Sequence, residues 1–230
     1  MPLADDIQDL MDRTFAALDA SHDYYTYTKR TWRFVQEIIK EGREISFRNP
    51  TTRTRVDKLT LLRQSRLYLT NYLAPWSFQH FVSLFEDFVF ELLRTWLVAC
   101  PGSLSKKTVD VATILKAVDT RAVLLTVVDK ELNELKYERL ADWFAYLERL
   151  THVGCPSTDE IQRLAEIKAS RDILVHNNGL ANATYLSKAG SLARYRAGEQ
   201  LQIPEKYHRE SWETIKRVVG DLATALIAKA

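Results

Sequence analysis

"WSFQHFVSLFEDFVFELLRTWLVA", Trp76 to Ala99, is the most hydrophobic element of the chain, and its reading decides the fold. Its apolar residues occupy most of a helical circumference instead of one stripe, as a helix enclosed by other helices requires. Glu86, Asp87, Glu91 and Arg94 interrupt the run, so it does not read as a membrane span. Pro75 is expected to break the chain before it, and "CPGS" to end it. It reads as the central helix of a bundle.

Helical spacing continues on both sides. Residues 4 to about 40 carry Ile7, Leu10, Met11, Phe15 and Leu18 at three- and four-residue steps, then Trp32, Phe34, Val35 and Ile38. Gly42 and "RNP" at Arg48–Pro50 close that unit with a turn. Thr51 to Tyr72 is expected to be a helix, apolar on one face through Val56, Leu59, Leu62 and Leu69 and arginine-rich on the other. Downstream, helices are expected from about Ala112 to Tyr137, with a break near Asp119, and from Glu138 to Leu150. "HVGCPS" is the next breaker. Ser157-Thr158-Asp159-Glu160 is a capping box that opens a helix through Ile161, Leu164, Ile167, Ile173 and Leu174. That helix stops at Gly179, a residue suited to the left-handed turn beyond a helix. Ser187 to Ile203 is polar and weakly patterned, and Pro204 precedes a last amphipathic helix. No stretch reads as a strand. The fold class is all-α, a helical bundle.

With 230 residues, 46% hydrophobic and 27% charged, the chain has globular composition and fits one domain with an appendage better than two full domains. Only 7 Gly and 6 Pro favour long helices over many turn-linked strands. A net charge of +2 is too close to neutral to imply nucleic acid, so a polyanion site would have to be a local patch. Glu41 to Thr70 holds such an excess, seven Lys/Arg against three acids. Arg48, Arg53, Arg55, Arg63 and Arg66 could track phosphates, with Phe47, Tyr68 and Tyr72 interleaved for base stacking. A solvated helix face accounts for the same charges equally well. Cys100 and Cys155 lie far apart without metal-ligand spacing and are expected reduced and buried, in a cytoplasmic protein. The acidic N-terminus has no signal-peptide pattern. His80 is expected as a hydrogen-bonded core or interface residue, and His22, His152 and His208 form no zinc pattern. No metal or cofactor is expected. Phosphate loops, dinucleotide fingerprints and the nucleophile elbow are also missing.

"RDILVHNNGLANATYL", Arg171 to Leu186, carries the chemistry. Arg171 and His176 are five positions apart, about 140° around a regular helix, so they do not share one face. A relaxed helix end or a second copy of the helix would bring them to one substrate. Asp172 and His176 are four apart and do share a face, so the carboxylate is expected to orient the imidazole. With 5 His and 19 Arg the chain would hold about 0.4 such Arg-x4-His pairs by chance, so the spacing alone says little.

The surroundings say more. The stretch resembles the signature helix of the HEPN superfamily. The branch it is most similar to comprises stand-alone bacterial proteins of the RiboL-PSP-HEPN and MAE_28990-like types. In these, Arg-Asn/Asp-x3-His is followed by Asn-Asn-Gly and a downstream Tyr-Leu. Trp76–Ala99 resembles the first long helix of that fold, and the last helix its closing one. The resemblance covers residues 76–230, leaving 1–75 as an additional N-terminal helical region. It implies a bundle of four or five helices that dimerises so that two motifs face each other. It also implies metal-independent endoribonuclease activity in a toxin–antitoxin or anti-phage setting, with an antitoxin or other defence protein as partner. Arg171 would then hold the scissile phosphate, Asp172 would be the polar residue after it, and His176 would transfer protons. Asn177, Asn178 and Tyr185 would support them. Some toxin-type members carry Tyr two residues after the His, where this chain has Asn178. Silent members of the superfamily supply the alternative, a module that binds nucleotide, RNA or a protein partner without cleaving. A structural helical protein with no nucleic-acid role is the third reading.

Overall fold

The computed structural model describes residues 2–230. Helix α1, Pro2–Lys40, buries Ile7, Leu10, Leu18 and Tyr25 in its first two-thirds and Val35 and Ile39 near its end. A short hairpin follows, β1 (Phe47–Arg48) antiparallel to β2 (Arg55–Val56), pairing Phe47 with Val56 and Arg48 with Arg55. Helix α2 is Lys58–Leu67; it passes through a π-helical turn, Tyr68–Leu73, into α3, Ala74–Ala99. Then come α4 (Val111–Lys116), α5 (Thr120–Lys136), α6 (Leu140–Thr151), α7 (Thr158–His176), α8 (Ala183–Ala189) and α9 (Glu205–Ile227). The fold is all-α apart from the two-residue strands.

Three of the sequence expectations are corrected here. The Thr51–Tyr72 helix starts only at Lys58. Asn49 Oδ1 accepts the backbone N–H groups of Thr51 (2.8 Å) and Thr52 (3.0 Å), which bends the chain, and Arg53 is left-handed at φ 61°. Asp57 then caps α2 by accepting from Thr60 N at 2.9 Å. Two residues per strand lack the length for an alternation signal, so the hairpin leaves no trace in the hydrophobic pattern. Nor does Pro75 break the chain. It falls in the first turn of α3, immediately after the π turn. A proline inside a helix crowds the carbonyl four residues back and offers it no N–H, and the wider turn is where this helix absorbs that.

Helix α3 is central, with Phe78, Phe81, Phe85, Phe88, Leu92, Leu93 and Leu97 essentially buried. It packs against α1, α9, α5 and α7. Ile7, Leu10, Leu18 and Tyr25 of α1 belong to the same core, as do Ile215, Val218, Val219 and Leu222 of α9. The first half of α1 is thus part of the bundle, and helix runs unbroken across the expected division at residue 75. A satellite core stands apart: Val35, Ile39 and Leu61, with Trp32, Ile45, Val56 and Leu62 around them. It joins the end of α1, the hairpin and α2 into an arm. Cys100 and Cys155 are free and half-buried, where full burial was expected. Among the described residues no helix is long and apolar enough to cross a membrane.

The α1–α3–α9 junction encloses His208, which is fully buried. Its ring stacks on Tyr25 at 3.8 Å, and its Nε2 lies 2.9 Å from Ser77 Oγ. Burial pushes its pKa down to about 3, with His22 and Lys29 adding to the shift. Below the ordinary value of 6.5, the unfolded chain takes up a proton that the folded one refuses. Stability is therefore complete above pH 6.5 and is lost as pH falls toward 3. Urea titrations at pH 7 and pH 4.5 are expected to differ by on the order of 2–3 kcal/mol more for the native protein than for His208→Gln. Equal pH dependence in the two proteins would show that His208 does not resist protonation.

Candidate functional site

Helix α7 is built as its local signals require. Ser157 Oγ accepts from Glu160 N (3.4 Å), and Glu160 Oε2 accepts from Ser157 N (3.0 Å), closing the capping box. At the other end Asn178 and Gly179 are both left-handed, with φ of 51° and 77°. A side chain at Gly179 would put its Cβ 2.6 Å from Gln200 Nε2. The segment that crowds it also holds it: Leu201 N donates to Gly179 O (2.8 Å), and Gln200 Nε2 to Asn178 O (2.8 Å).

Lys168, Arg171, Asp172, Val175 and His176 recur at i, i+3, i+4, i+7 and i+8 along α7, a stripe about 140° wide with Arg171 at one edge and His176 at the other. The first three sit in a partly buried ion cluster. Arg171 donates to Glu86 Oε2 of α3 at 2.6 Å and to its neighbour Asp172 at 3.1 Å, and its side chain is only 16% exposed. Lys168 reaches Glu86 (2.7 Å) and Asp172 (3.4 Å), while Lys188 of α8 reaches Asp172 (3.0 Å). Burial works to raise the Asp172 carboxyl, but Lys168, Lys188 and Arg171 outweigh it and hold it below the ordinary aspartate range. Three cations against two carboxylates leave the cluster one positive charge in excess, and Arg171 Nε has no acceptor among the described residues.

His176 is exposed at the end of the stripe, with no hydrogen bond or ion pair among the described residues. The expected Asp172–His176 contact is therefore corrected. Asp172 instead faces the amines of Lys168 and Lys188 and the Arg171 guanidinium, which take up its two oxygens. Asn177 caps α7 and turns its side-chain amide onto Leu180 O. Tyr185 is not at the surface. It is buried, its hydroxyl donating to Glu166 Oε1 (3.1 Å) and accepting from Arg194 N (2.9 Å).

Glu166 was missed in the sequence. It is buried and accepts from Ser170 Oγ (2.7 Å), Tyr185 OH (3.1 Å) and Arg194 Nε (3.1 Å) on one oxygen, and from Tyr207 OH (2.7 Å) on the other. The signal was its place on the buried side of α7, four residues before Ser170 and seven before Ile173. A carboxylate there must be paired or it destabilises the fold.

Arg48, Arg53, Arg55, Arg63 and Arg66 are all exposed, and none forms an ion pair among the described residues. The hairpin and α2 carry them on the arm. His80 is exposed too, which corrects the core half of its expected core or interface position. Asp87 and Glu91 remain exposed, while Glu86 is the carboxylate of α3 that Arg171 meets.

Ser77 and His208 have the contact of a nucleophile and its base, but not the chemistry. Among the described residues His208 Nδ1 has no acceptor to fix the ring, and an imidazole whose pKa burial pushes down to about 3 is a weak base. Among the described residues no three His, Cys, Asp or Glu side chains are grouped to hold a metal ion. No family model, curated protein or solved structure matches the chain.

Proposed function

We infer that the protein is a metal-independent endoribonuclease of HEPN type, acting as a homodimer in a toxin or phage-defence setting. The observation that carries this reading is His176: a solvent-facing imidazole without a partner, at the end of the stripe whose earlier members form a net-positive cluster. The resemblance of Arg171–Leu186 to the HEPN signature supports it. RNA brings its own nucleophile. The 2′-oxygen attacks the adjacent phosphorus and loses its proton, the bond to the 5′-oxygen breaks, and that oxygen takes up a proton. The products are a 2′,3′-cyclic phosphate and a 5′-hydroxyl. Histidine suits both proton transfers near neutral pH, and the excess positive charge around Arg171 suits the phosphorane. One His176 cannot easily serve both sides of the phosphorus, so a second copy of α7 would complete the site. Exposed Val175 and Leu180 flank His176 and offer apolar surface for that copy.

The second reading, a silent HEPN module that binds RNA, nucleotide or a protein partner, is favoured by one specific fact. Arg171 is already committed to Glu86 and Asp172. Two measurements test the proposal together. Light scattering at micromolar concentration is expected to give the mass of a dimer. Purified protein is expected to cleave RNA in EDTA and leave 2′,3′-cyclic phosphate ends. A strict monomer would end the composite site, and RNA binding without cleavage would establish the silent module.

A further inference from the structure

Five aromatic rings run in contact from the hairpin to the start of α3. Phe47 stacks on Trp32 at 6.4 Å, Trp32 meets Tyr68 at 5.7 Å, Tyr68 meets Tyr72 at 6.2 Å, and Tyr72 meets Trp76 at 5.2 Å. Buried rings would simply be core, but here Trp76 is 64% exposed, and Phe47, Tyr68 and Tyr72 are each between a third and a half exposed. Trp32, Tyr68, Tyr72 and Trp76, together with Tyr24, line a groove of about 450 Å³ whose polar lining comes from Ser21, Thr28, Ser77 and His80.

The π turn explains the alignment. In an α-helix a four-residue step overshoots one turn by about 40°, so rings at i, i+4 and i+8 drift off a line. A π turn holds more than four residues, and the same step falls short. Tyr68–Tyr72 lies in the π turn and Tyr72–Trp76 leads into α-helix, so the two offsets oppose each other. The turn that accommodates Pro75 also keeps three rings on one edge.

Trp76 stands at a junction. It also lines a neighbouring hollow of about 330 Å³ with Thr70, Asn71, Gln79, Asn178 and Gln200. Asn178 is two residues from His176, so the row of rings leads to the end of α7. Neither lining includes an acidic side chain, and the arm that carries the rings also carries the five unpaired arginines.

We propose that this groove binds single-stranded nucleic acid, with unpaired bases stacked on Tyr68, Tyr72 and Trp76, the phosphates near the arm's arginines, and the strand directed toward His176. The direction of the strand rests on the endoribonuclease reading; the groove's affinity for it does not. Every base has a π face, so stacking rings bind without demanding a sequence, while the hydroxyl lining offers hydrogen bonds to base edges. A duplex keeps its bases stacked inside and gains nothing from such a surface.

The test uses the full-length native protein and a fluorescent 2′-O-methyl oligouridylate, which lacks the nucleophile. Anisotropy should show binding that is at least tenfold tighter than for a duplex of equal length and that weakens with salt, with quenching of tryptophan fluorescence. Trp76→Ala and Tyr68→Ala should each weaken binding roughly tenfold or more, while Trp76→Phe and Tyr68→Phe, which keep a ring, should restore most of it. Circular dichroism checks that the alanine variants fold, and the phenylalanine variants decide the matter if they do not. Equal affinity for duplex, folded alanine variants that bind like the native protein, or a groove that takes tetramethylammonium but no oligonucleotide would overturn the proposal. Binding that follows the rings in a protein that cleaves nothing upholds it and ends the catalytic reading.

Discussion

Replacing His176 by alanine is expected to lower RNA cleavage in EDTA by about 10²–10⁴-fold, the span a positioned proton-transfer group contributes. The fold should not notice. His176 is exposed and unpartnered, and surface changes of that kind usually move stability by less than about 0.5 kcal/mol. Loss of activity with an unchanged urea midpoint would therefore speak of chemistry. Arg171→Ala is the sharper companion, because Arg171 is ion-paired and its removal could be blamed on unfolding. The geometry answers that in advance. Without Arg171, Glu86 keeps Lys168 at 2.7 Å and Asp172 keeps Lys188 at 3.0 Å, so no carboxylate is stranded. Arg171→Ala should fold and lose nearly as much activity as His176→Ala. Asp172→Asn, which touches the cations and not the imidazole, should act only by loosening Arg171, and its effect should be smaller. Full cleavage by the His176 variant, measured against a mock purification, would reduce α7's end to a helix terminus and no more.

What could be read from the sequence follows from range. The capping box at Ser157, the stop at Gly179, the break at Asp119 and the enclosed Trp76–Ala99 helix are signals carried within one or two turns of the residue concerned, and each has its counterpart. Asp119 caps α5 by accepting from Ala122 N at 2.7 Å. Pro75 misled because the rule for proline is local, whereas its accommodation involves the six-residue π turn before it. The hairpin is pinned from outside its own sequence, by Phe47 on Trp32. The Asp172 error has the same origin. Spacing offered His176 at i+4, but Lys168 is equally close at i−4, and Lys188 arrives from another helix sixteen residues on. Periodicity finds which residues share a face, not which of several neighbours a charge prefers. The motif residues were legible one by one, and their partners were not.

The largest stability effect is expected at Glu166, for the same reason. One carboxylate joins four segments: Ser170 from its own helix, Tyr185 from α8, Arg194 from the loop beyond it, and Tyr207 from α9. Arg194 is pressed against the Tyr207 ring, its guanidinium carbon 3.3 Å from the ring centre, so it cannot swing out to water without uncovering that ring. Glu166→Ala would leave a half-buried guanidinium without its counter-charge and three hydroxyls, those of Ser170, Tyr185 and Tyr207, without their acceptor. Breaking a buried pair in this way costs about 3–5 kcal/mol, a large share of the roughly 5–15 kcal/mol by which a domain is stable. Glu166→Gln loses the charge and turns one acceptor oxygen into a donor, but keeps the other oxygen as an acceptor, so it should cost less. Arg194→Ala made together with Glu166→Ala should cost clearly less than the sum of the two, because the second removes the charge the first stranded. Urea titration of the four proteins measures this. A Glu166→Ala cost below about 1 kcal/mol, or strictly additive losses, would show that the network is not coupled. The same variant bears on the site. Arg194 leads into the 198–201 segment that holds Gly179 and Asn178. Amide exchange at residues 177–181 should therefore quicken in Glu166→Ala well before the rest of α7 opens, loosening the end that carries His176.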